Sequence, residues 1–177
     1  METYIVFLRG VNVSGKNLIK MADLKQYLSS GGFEKAATYI QSGNIVVQSN
    51  LKKTEAEKNI RAIILKHFEF SIPVFVLTVD EVVQALKNNP FPKDAEPNKV
   101  FFTFLEAVPD ATLINKLSEI DFGTEVFKII DKLLYFYVPE GMGKSKMNNN
   151  FFEKKLKVTA TGRNLNTVRK MLELTQK

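Results

Sequence analysis

The chain has 177 residues, no cysteine and a formal net charge of +6. Its 45% hydrophobic and 25% charged residues are typical of a globular protein, and no apolar run is long enough for a membrane-spanning helix. The lack of cysteine excludes disulfides and thiolate chemistry, and residues 1–3 lack the features of a secretory signal, so a cytoplasmic protein without a membrane partner is expected.

Apolar periodicity predicts an alternation of strands and helices in the first half. The predicted elements are a strand at 3–8, a helix from Met21 to Gly31-Gly32, strands at 36–40 and 44–48 joined around Ser42-Gly43, a helix opening at Thr54, and a strand at 73–79. Thr54 and Glu57 have the spacing of a capping box, and Asp80 is expected to cap a further short helix. The order β-α-β-β-α-β is the ferredoxin-like pattern.

The second half repeats this order after a polar, proline-containing segment at 89–98, which is predicted to be a linker. Its predicted elements are a strand at 99–105, a helix from Pro109-Asp110, strands at 125–130 and 133–138, a helix capped by Asn148, a strand at 158–161 and a terminal helix from Leu165. The expected fold class is therefore α+β, with two ferredoxin-like repeats at 1–88 and 99–177, antiparallel sheets and a C-terminal helix.

Two polar segments of the first half are predicted to lie together. In a β-α-β-β-α-β unit the first two strands run in the same direction, so the loop after the first strand and the turn after the second emerge at one end of the sheet. These segments are 9–20 and 41–44, both rich in Gly, Ser, Asn and Gln. Because Arg9 and Lys16 add positive charge there, the sequence favours an anion at this end.

Two polar segments of the second half are further candidates, and they are predicted to lie at opposite ends of their own sheet. Residues 141–146 lack the first glycine of a phosphate loop, so they form either a cationic lead-in to a helix N-terminus, where anions bind, or a flexible loop around Lys144. In the other segment, Asn164 or Asn166 is expected to cap the last helix, and Arg163 either binds an anion or contacts a backbone carbonyl.

The remaining chemistry-bearing residues favour structural roles. His67 is the single histidine, and it is expected to be partly buried on an apolar helix face. Tyr39 and Tyr135 are candidates to stack on RNA bases, but the sequence motif of such sheet-based RNA binders is absent and core packing is favoured. No metal site, cofactor, paired carboxylate or catalytic residue is predicted.

Four stretches resemble an uncharacterised bacterial family, catalogued as domain of unknown function 1697. They are Leu8-Arg9-Gly10-Val11-Asn12-Val13-Ser14-Gly15-Lys16-Asn17, Met21-Ala22-Asp23-Leu24, Thr38-Tyr39-Ile40-Gln41-Ser42-Gly43-Asn44-Ile45-Val46 and Arg163-Asn164-Leu165-Asn166-Thr167-Val168. The resemblance implies an α+β protein with ferredoxin-like repeats, and it implies no activity. The family usually has Trp where this chain has Leu165, and Gly where it has Ser14.

Three hypotheses for the function follow. The first is a binding module for a phosphate-bearing ligand, either a nucleotide or nucleic acid. The second is an enzyme acting on a small anionic substrate, and the third is a protein-interaction module with an exposed sheet edge. The candidate ligand-binding residues are Arg9, Gly10, Asn12, Lys16, Gln41, Ser42, Gly43, Asn44, Lys144, Arg163 and Asn164.

Overall fold

The first half of the computed structural model, which describes residues 1–177, is an alternation of strands and helices. In chain order its elements are β1 (Glu2–Leu8), α1 (Met21–Ser30), β2 (Glu34–Tyr39), β3 (Asn44–Ser49), α2 (Lys53–Phe68), β4 (Val74–Thr78) and α3 (Val79–Lys87). The four strands form an antiparallel sheet in the order β2-β3-β1-β4. The predicted ferredoxin-like repeat is therefore confirmed.

The second half repeats the same topology. Its elements are β5 (Val100–Leu105), α4 (Ala111–Ser118), β6 (Val126–Ile130), β7 (Leu133–Tyr137), α5 (Asn149–Leu156), β8 (Ala160–Asn164) and α6 (Leu165–Leu174), with short 3-10 helices at Pro97–Lys99 and Met142–Lys144. The strands form a second antiparallel sheet in the order β6-β7-β5-β8. No helix of the chain is long and apolar enough to cross a membrane.

The chain divides into two compact units, Met1–Gln84 with Arg169–Lys177, and Ala85–Val168. The division falls within α3, ahead of the predicted linker at 89–98. From the sequence, the whole terminal helix is assigned to the second repeat. In the structure, the part of this helix from Arg169 onward belongs to the first unit. Leu174 and Thr175 line a small cavity together with Thr3 and Val46 of the first sheet, so the end of α6 lies against β1 and β3.

The central strands are the most deeply buried, which explains their nearly continuous apolar sequences. Residues 4–8 of β1 are at most 1% exposed, and β1 lies between β3 and β4. Tyr4, Val6 and Leu8 belong to a cluster that also contains apolar side chains of α1 and α2. Strand β5 has the equivalent place in the second sheet, between β7 and β8.

The start of α2 differs from the sequence prediction. The helix begins before Thr54, and the Glu55 carboxylate accepts a hydrogen bond from the Lys52 backbone N–H at 3.2 Å. Glu57, the predicted partner of Thr54, instead accepts two hydrogen bonds from Arg61, one turn later on the helix. Because an (i, i+4) ion pair competes for the same carboxylate, the spacing of residue types alone misplaced the cap by two positions.

A reciprocal capping box does occur, at the start of α3. The Thr78 hydroxyl accepts from the Glu81 N–H at 3.2 Å, and the Glu81 carboxylate accepts from the Thr78 N–H at 2.8 Å. Thr78, and not the predicted Asp80, is therefore the cap. The predicted helix starts at Asp110 and Asn148 are confirmed, since both side chains accept a backbone N–H of the first turn.

Two buried tyrosines are expected to make the protein less stable at alkaline pH. Burial raises the pKa of Tyr4 to about 12, and the neighbouring Glu2 carboxylate acts in the same direction. Burial also raises the pKa of Tyr135 to about 12; its hydroxyl donates to the Ala85 carbonyl at 2.8 Å. Because the folded-state pKa lies above the unfolded value, this contribution to stability is complete below pH 10.0 and is lost as the pH rises towards 12.

The free energy of unfolding is therefore expected to decrease between about pH 10 and pH 12, and less steeply in Tyr4→Phe and Tyr135→Phe variants. Urea unfolding at a series of alkaline pH values measures this slope. Phenolate absorbance reports the titration of the tyrosines in the folded protein. Titration of both side chains at the ordinary value of 10.0 without any loss of stability would contradict the prediction.

Candidate functional site

The loop after β1 and the turn after β2 meet at one end of the first sheet, as the topology predicted. Both strands are antiparallel to β3, so both end at the same side. The Leu8 N–H donates to the Gly43 carbonyl at 2.9 Å, and the Asn12 side chain donates to the Gln41 carbonyl at 2.7 Å. We call residues 9–20 and 40–44 the loop cluster.

Asn12 fixes the base of the loop cluster. Its side-chain oxygen accepts from the Ile19 N–H at 2.8 Å, and its amide nitrogen donates to the Ile19 carbonyl at 3.0 Å as well as to Gln41. One side chain thus joins the two ends of its own loop to the neighbouring turn. Asn17 adds a further link by donating to the Gly10 carbonyl at 2.9 Å. The amide groups of both asparagines therefore hold the backbone in place.

The segment between these anchors is a small hairpin that projects into solvent. Val13 and Lys16 form an isolated antiparallel bridge, and the Lys16 N–H donates to the Val13 carbonyl at 3.0 Å. The two turn residues, Ser14 and Gly15, have φ values of 50° and 73°, as a type I′ turn requires. Ser14, Gly15 and Lys16 are all exposed, so the tip presents a cation and turn backbone to solvent.

The turn between β2 and β3 is held by its own side chains. Asn44 is fully buried, and its amide nitrogen donates to the Tyr39 carbonyl at 3.1 Å and to the Ser42 hydroxyl at 2.9 Å. Gly43 is buried against the first loop; an added Cβ would lie 2.6 Å from the Leu8 Cβ and 2.8 Å from Val11 Cγ2. Asn44 and Gly43 therefore shape the turn, while the side chain of Gln41 is exposed.

Left-handed backbone conformations are concentrated in the loop cluster. It contains seven of the fourteen residues of the chain with positive φ, namely Gly10, Asn12, Ser14, Gly15, Asn17, Ile40 and Gly43. Ile40 is unusual, because a β-branched residue at φ 49° is strained and its side chain is also 52% exposed. Strained backbone of this kind is often found at functional sites.

The structure adds exposed residues that the sequence analysis did not select. Lys20 is exposed beside Ile19, and Val13 and Leu18 are 56% and 66% exposed on the loop that carries Lys16. The loop cluster therefore combines cations with apolar side chains. The sequence Val13-Ser14-Gly15-Lys16 could have revealed this hairpin. Ser-Gly between two extended residues predicts a two-residue turn whose flanking residues are exposed.

The other three candidate residues belong to the second unit. Lys144 lies exposed in a short 3-10 helix. Arg163 is 9% exposed, and its Nη1 donates to the Thr161 hydroxyl and to the Gly162 carbonyl, both at 2.8 Å. Asn164 accepts from the Thr167 N–H at 2.9 Å at the start of α6. The predicted cap is thus Asn164, and the Arg163 guanidinium contacts a backbone carbonyl, one of its two predicted alternatives.

Two expectations from the sequence, one about these segments and one about His67, are wrong. Segments 141–146 and 161–167 were expected at opposite ends of their sheet. Segment 141–146 follows β7, and segment 161–167 contains the end of β8. Both strands run antiparallel to β5, so the two segments lie at the same end. His67 is exposed rather than partly buried, and its ring stacks on Tyr27 with 3.8 Å between centroids. Separately, no cluster of three or more His, Cys, Asp or Glu side chains is placed to hold a metal ion.

The fold and loops define a duplicated β-α-β-β-α-β protein with a basic loop cluster at one sheet end. The chain belongs to the family described as "Protein of unknown function (DUF1697)", whose model matches residues 1–135. It is similar to the solved structure of conserved bacterial protein SP0830 from Streptococcus pneumoniae, with 26% identity and a TM-score of 0.72 over 98% of each chain. No curated protein matches the chain.

Proposed function

We propose that the loop cluster binds a phosphate-bearing ligand, either a nucleotide or nucleic acid. The observation that carries the proposal is the exposure of Lys16 at the tip of a loop whose base is fixed by Asn12. A cation held on an ordered loop attracts an anion without the entropic cost of ordering the loop on binding. Lys20 and Arg9 add positive charge on the same loop.

The apolar side chains of the loop cluster favour a ligand with more than a phosphate group. Val13, Leu18 and Ile40 are each more than half exposed; Val13 and Leu18 lie on the same segment as the cations, and Ile40 lies on the neighbouring turn. In a complex with a nucleotide, phosphates would face the lysines while the sugar or base covers apolar surface. The net charge of +6 supports the approach of a polyanion over longer distances.

The test is to measure the affinity of a Lys16→Glu variant for labelled single-stranded RNA and DNA and for inorganic polyphosphate. Because Lys16 is exposed, stability is expected to stay unchanged, while affinity at low salt falls about tenfold and the slope of log K against log salt decreases by about 1. The matched control is Lys58→Glu, which changes the net charge equally at an exposed position of α2.

Each outcome has a clear meaning. A loss confined to Lys16→Glu supports the loop cluster as the binding site. Equal losses in Lys16→Glu and Lys58→Glu would reduce the effect to net charge and contradict the proposed site. Absence of binding to all three probes at low salt, together with no nucleotide-dependent increase in melting temperature, would reject the proposed function.

A further inference from the structure

Strand β6 is an edge strand with a regular register, unlike its counterpart in the first sheet. It pairs only with β7, in an unbroken register from Val126 to Ile130. The equivalent edge strand of the first sheet, β2, has an irregular register beyond Glu34, with the exposed Lys35 at φ 47°. A bulge and an inserted lysine are common means of preventing edge pairing. Strand β6 has no bulge and no proline, and its one charged residue is the exposed Lys128.

The hairpin geometry fixes which backbone groups of β6 face outward. The two-residue turn at Asp131-Lys132 makes Ile130 and Leu133 the closing hydrogen-bonded pair. Since hydrogen-bonded and non-hydrogen-bonded pairs alternate along antiparallel strands, the N–H and C=O groups of Phe127 and Ile129 point away from β7. These groups are placed to pair with an added strand.

A groove of about 480 Å³ runs beside this edge. Its apolar lining comes from the half-buried side chains of Ile114, Ile120 and Phe122, together with Phe127 and Ile129 of β6 itself. The volume is within the range of about 300–1,000 Å³ that is typical of ligand sites. Alternate side chains of a strand added to β6 would point into this groove.

The groove carries acidic side chains where β6 begins, although the whole chain is basic. Asp121 is exposed there, and Glu125 is half-buried, with one carboxylate oxygen accepting from the Ser145 hydroxyl at 2.9 Å. Lys128 also contributes to the groove lining, and alternation along the strand directs its side chain to the opposite face from Phe127 and Ile129. A partner strand with a cationic side chain facing the acidic end is therefore complementary in charge.

We propose that β6 binds an extended peptide segment of a partner protein by strand addition. An antiparallel segment places its first inward side chain opposite Ile129, its second opposite Phe127 and its third opposite Glu125. The first two positions face the apolar lining, and the third faces Glu125 and Asp121. The partner segment therefore has the pattern apolar-x-apolar-x-basic, with Lys or Arg as the basic residue.

The probe is the labelled peptide acetyl-Ser-Ile-Thr-Val-Thr-Arg-Ser-amide, titrated into the full chain and followed by fluorescence anisotropy and amide chemical shifts. Saturable binding is expected, with the largest shifts at the Phe127 and Ile129 amides. An analogue N-methylated at Ile and Val keeps its side chains but loses the two facing donors, and it is expected to bind at least tenfold more weakly. Equal binding of both peptides would overturn strand addition.

Charge reversal tests the acidic end of the groove. Asp121→Lys is expected to weaken binding about fivefold or more at physiological salt, whereas Asp94→Lys, an equal charge change at an exposed position outside the groove, leaves it unchanged. No saturation by about 1 mM peptide would overturn the proposal. Light scattering measures the oligomeric state of the free chain. A dimer that dissociates when the peptide is added would show that β6 pairs with a second copy of the chain, which would overturn the proposal of a partner protein.

Discussion

Gly43→Ala is expected to lower the free energy of unfolding by about 3 kcal/mol, since it combines left-handed strain of about 1–2 kcal/mol with overpacking of about 1–3 kcal/mol. Gly43 has φ +75°, and an added methyl group would lie 2.6 Å from the Leu8 Cβ, a contact that real side chains do not make. The first loop or the turn must move, which separates the two halves of the loop cluster. Urea unfolding followed by circular dichroism measures the loss.

Gly10→Ala is the matched control for this substitution. Gly10 has nearly the same backbone conformation, φ +71°, but no atom lies within 4 Å of its added Cβ. It is therefore expected to cost only the strain of about 1–2 kcal/mol. The difference between the two variants isolates the steric contact of Gly43 with Leu8 and Val11. Equal losses in both variants would mean that the close approach at Gly43 relaxes without cost.

The topology of the fold was predictable because local signals and connectivity agreed. The apolar runs at β1 and β5 identify buried strands, and short turns such as Asp131-Lys132 leave only antiparallel hairpins. Strands joined by a helical crossover run in the same direction. This rule and the order of elements were sufficient to predict that the loop after β1 lies beside the turn at Gln41. The same rule applied to β7 and β8 would have placed segments 141–146 and 161–167 together.

Features that depend on packing between distant segments were not predictable. Arg163 is a charged residue in a polar stretch, and nothing local indicates that it is 9% exposed on β8. The last turn of α6 has an apolar side, but its sequence does not say which sheet receives it. The cap of α2 was misplaced for a different reason: Glu57 satisfies the spacing of a capping box with Thr54, but its carboxylate pairs with Arg61 at (i, i+4) instead.

The structural role of Asn12 could not be predicted from the sequence. An exposed-loop asparagine suggested a ligand donor, whereas its side chain makes hydrogen bonds to backbone groups of Ile19 and Gln41. Its φ of 54° also suits asparagine better than most residues. The same residue therefore supplies both the conformation and the hydrogen bonds that order the loop.

Asn12→Ala is expected to lower the free energy of unfolding by about 3 kcal/mol, because strain of about 1–2 kcal/mol adds to the loss of two part-buried hydrogen bonds to the Ile19 backbone, about 1–3 kcal/mol. Asn12→Gly removes the same hydrogen bonds but tolerates the backbone conformation, so it is expected to be more stable than Asn12→Ala by about 1 kcal/mol. Urea unfolding of both variants measures the two contributions. Wild-type stability in Asn12→Gly would contradict a structural role for the side chain.

Asn12→Gly also tests whether the order of the loop contributes to ligand affinity. Asn12→Gly keeps Arg9, Lys16 and Lys20 and leaves the net charge at +6. If the loop cluster binds phosphate groups through a fixed arrangement, affinity for nucleotide or nucleic acid is expected to fall about tenfold, while the slope of log K against log salt stays the same. Unchanged affinity would mean that exposed charge alone attracts the ligand, and the fixed base at Ile19 and Gln41 would then serve the fold only.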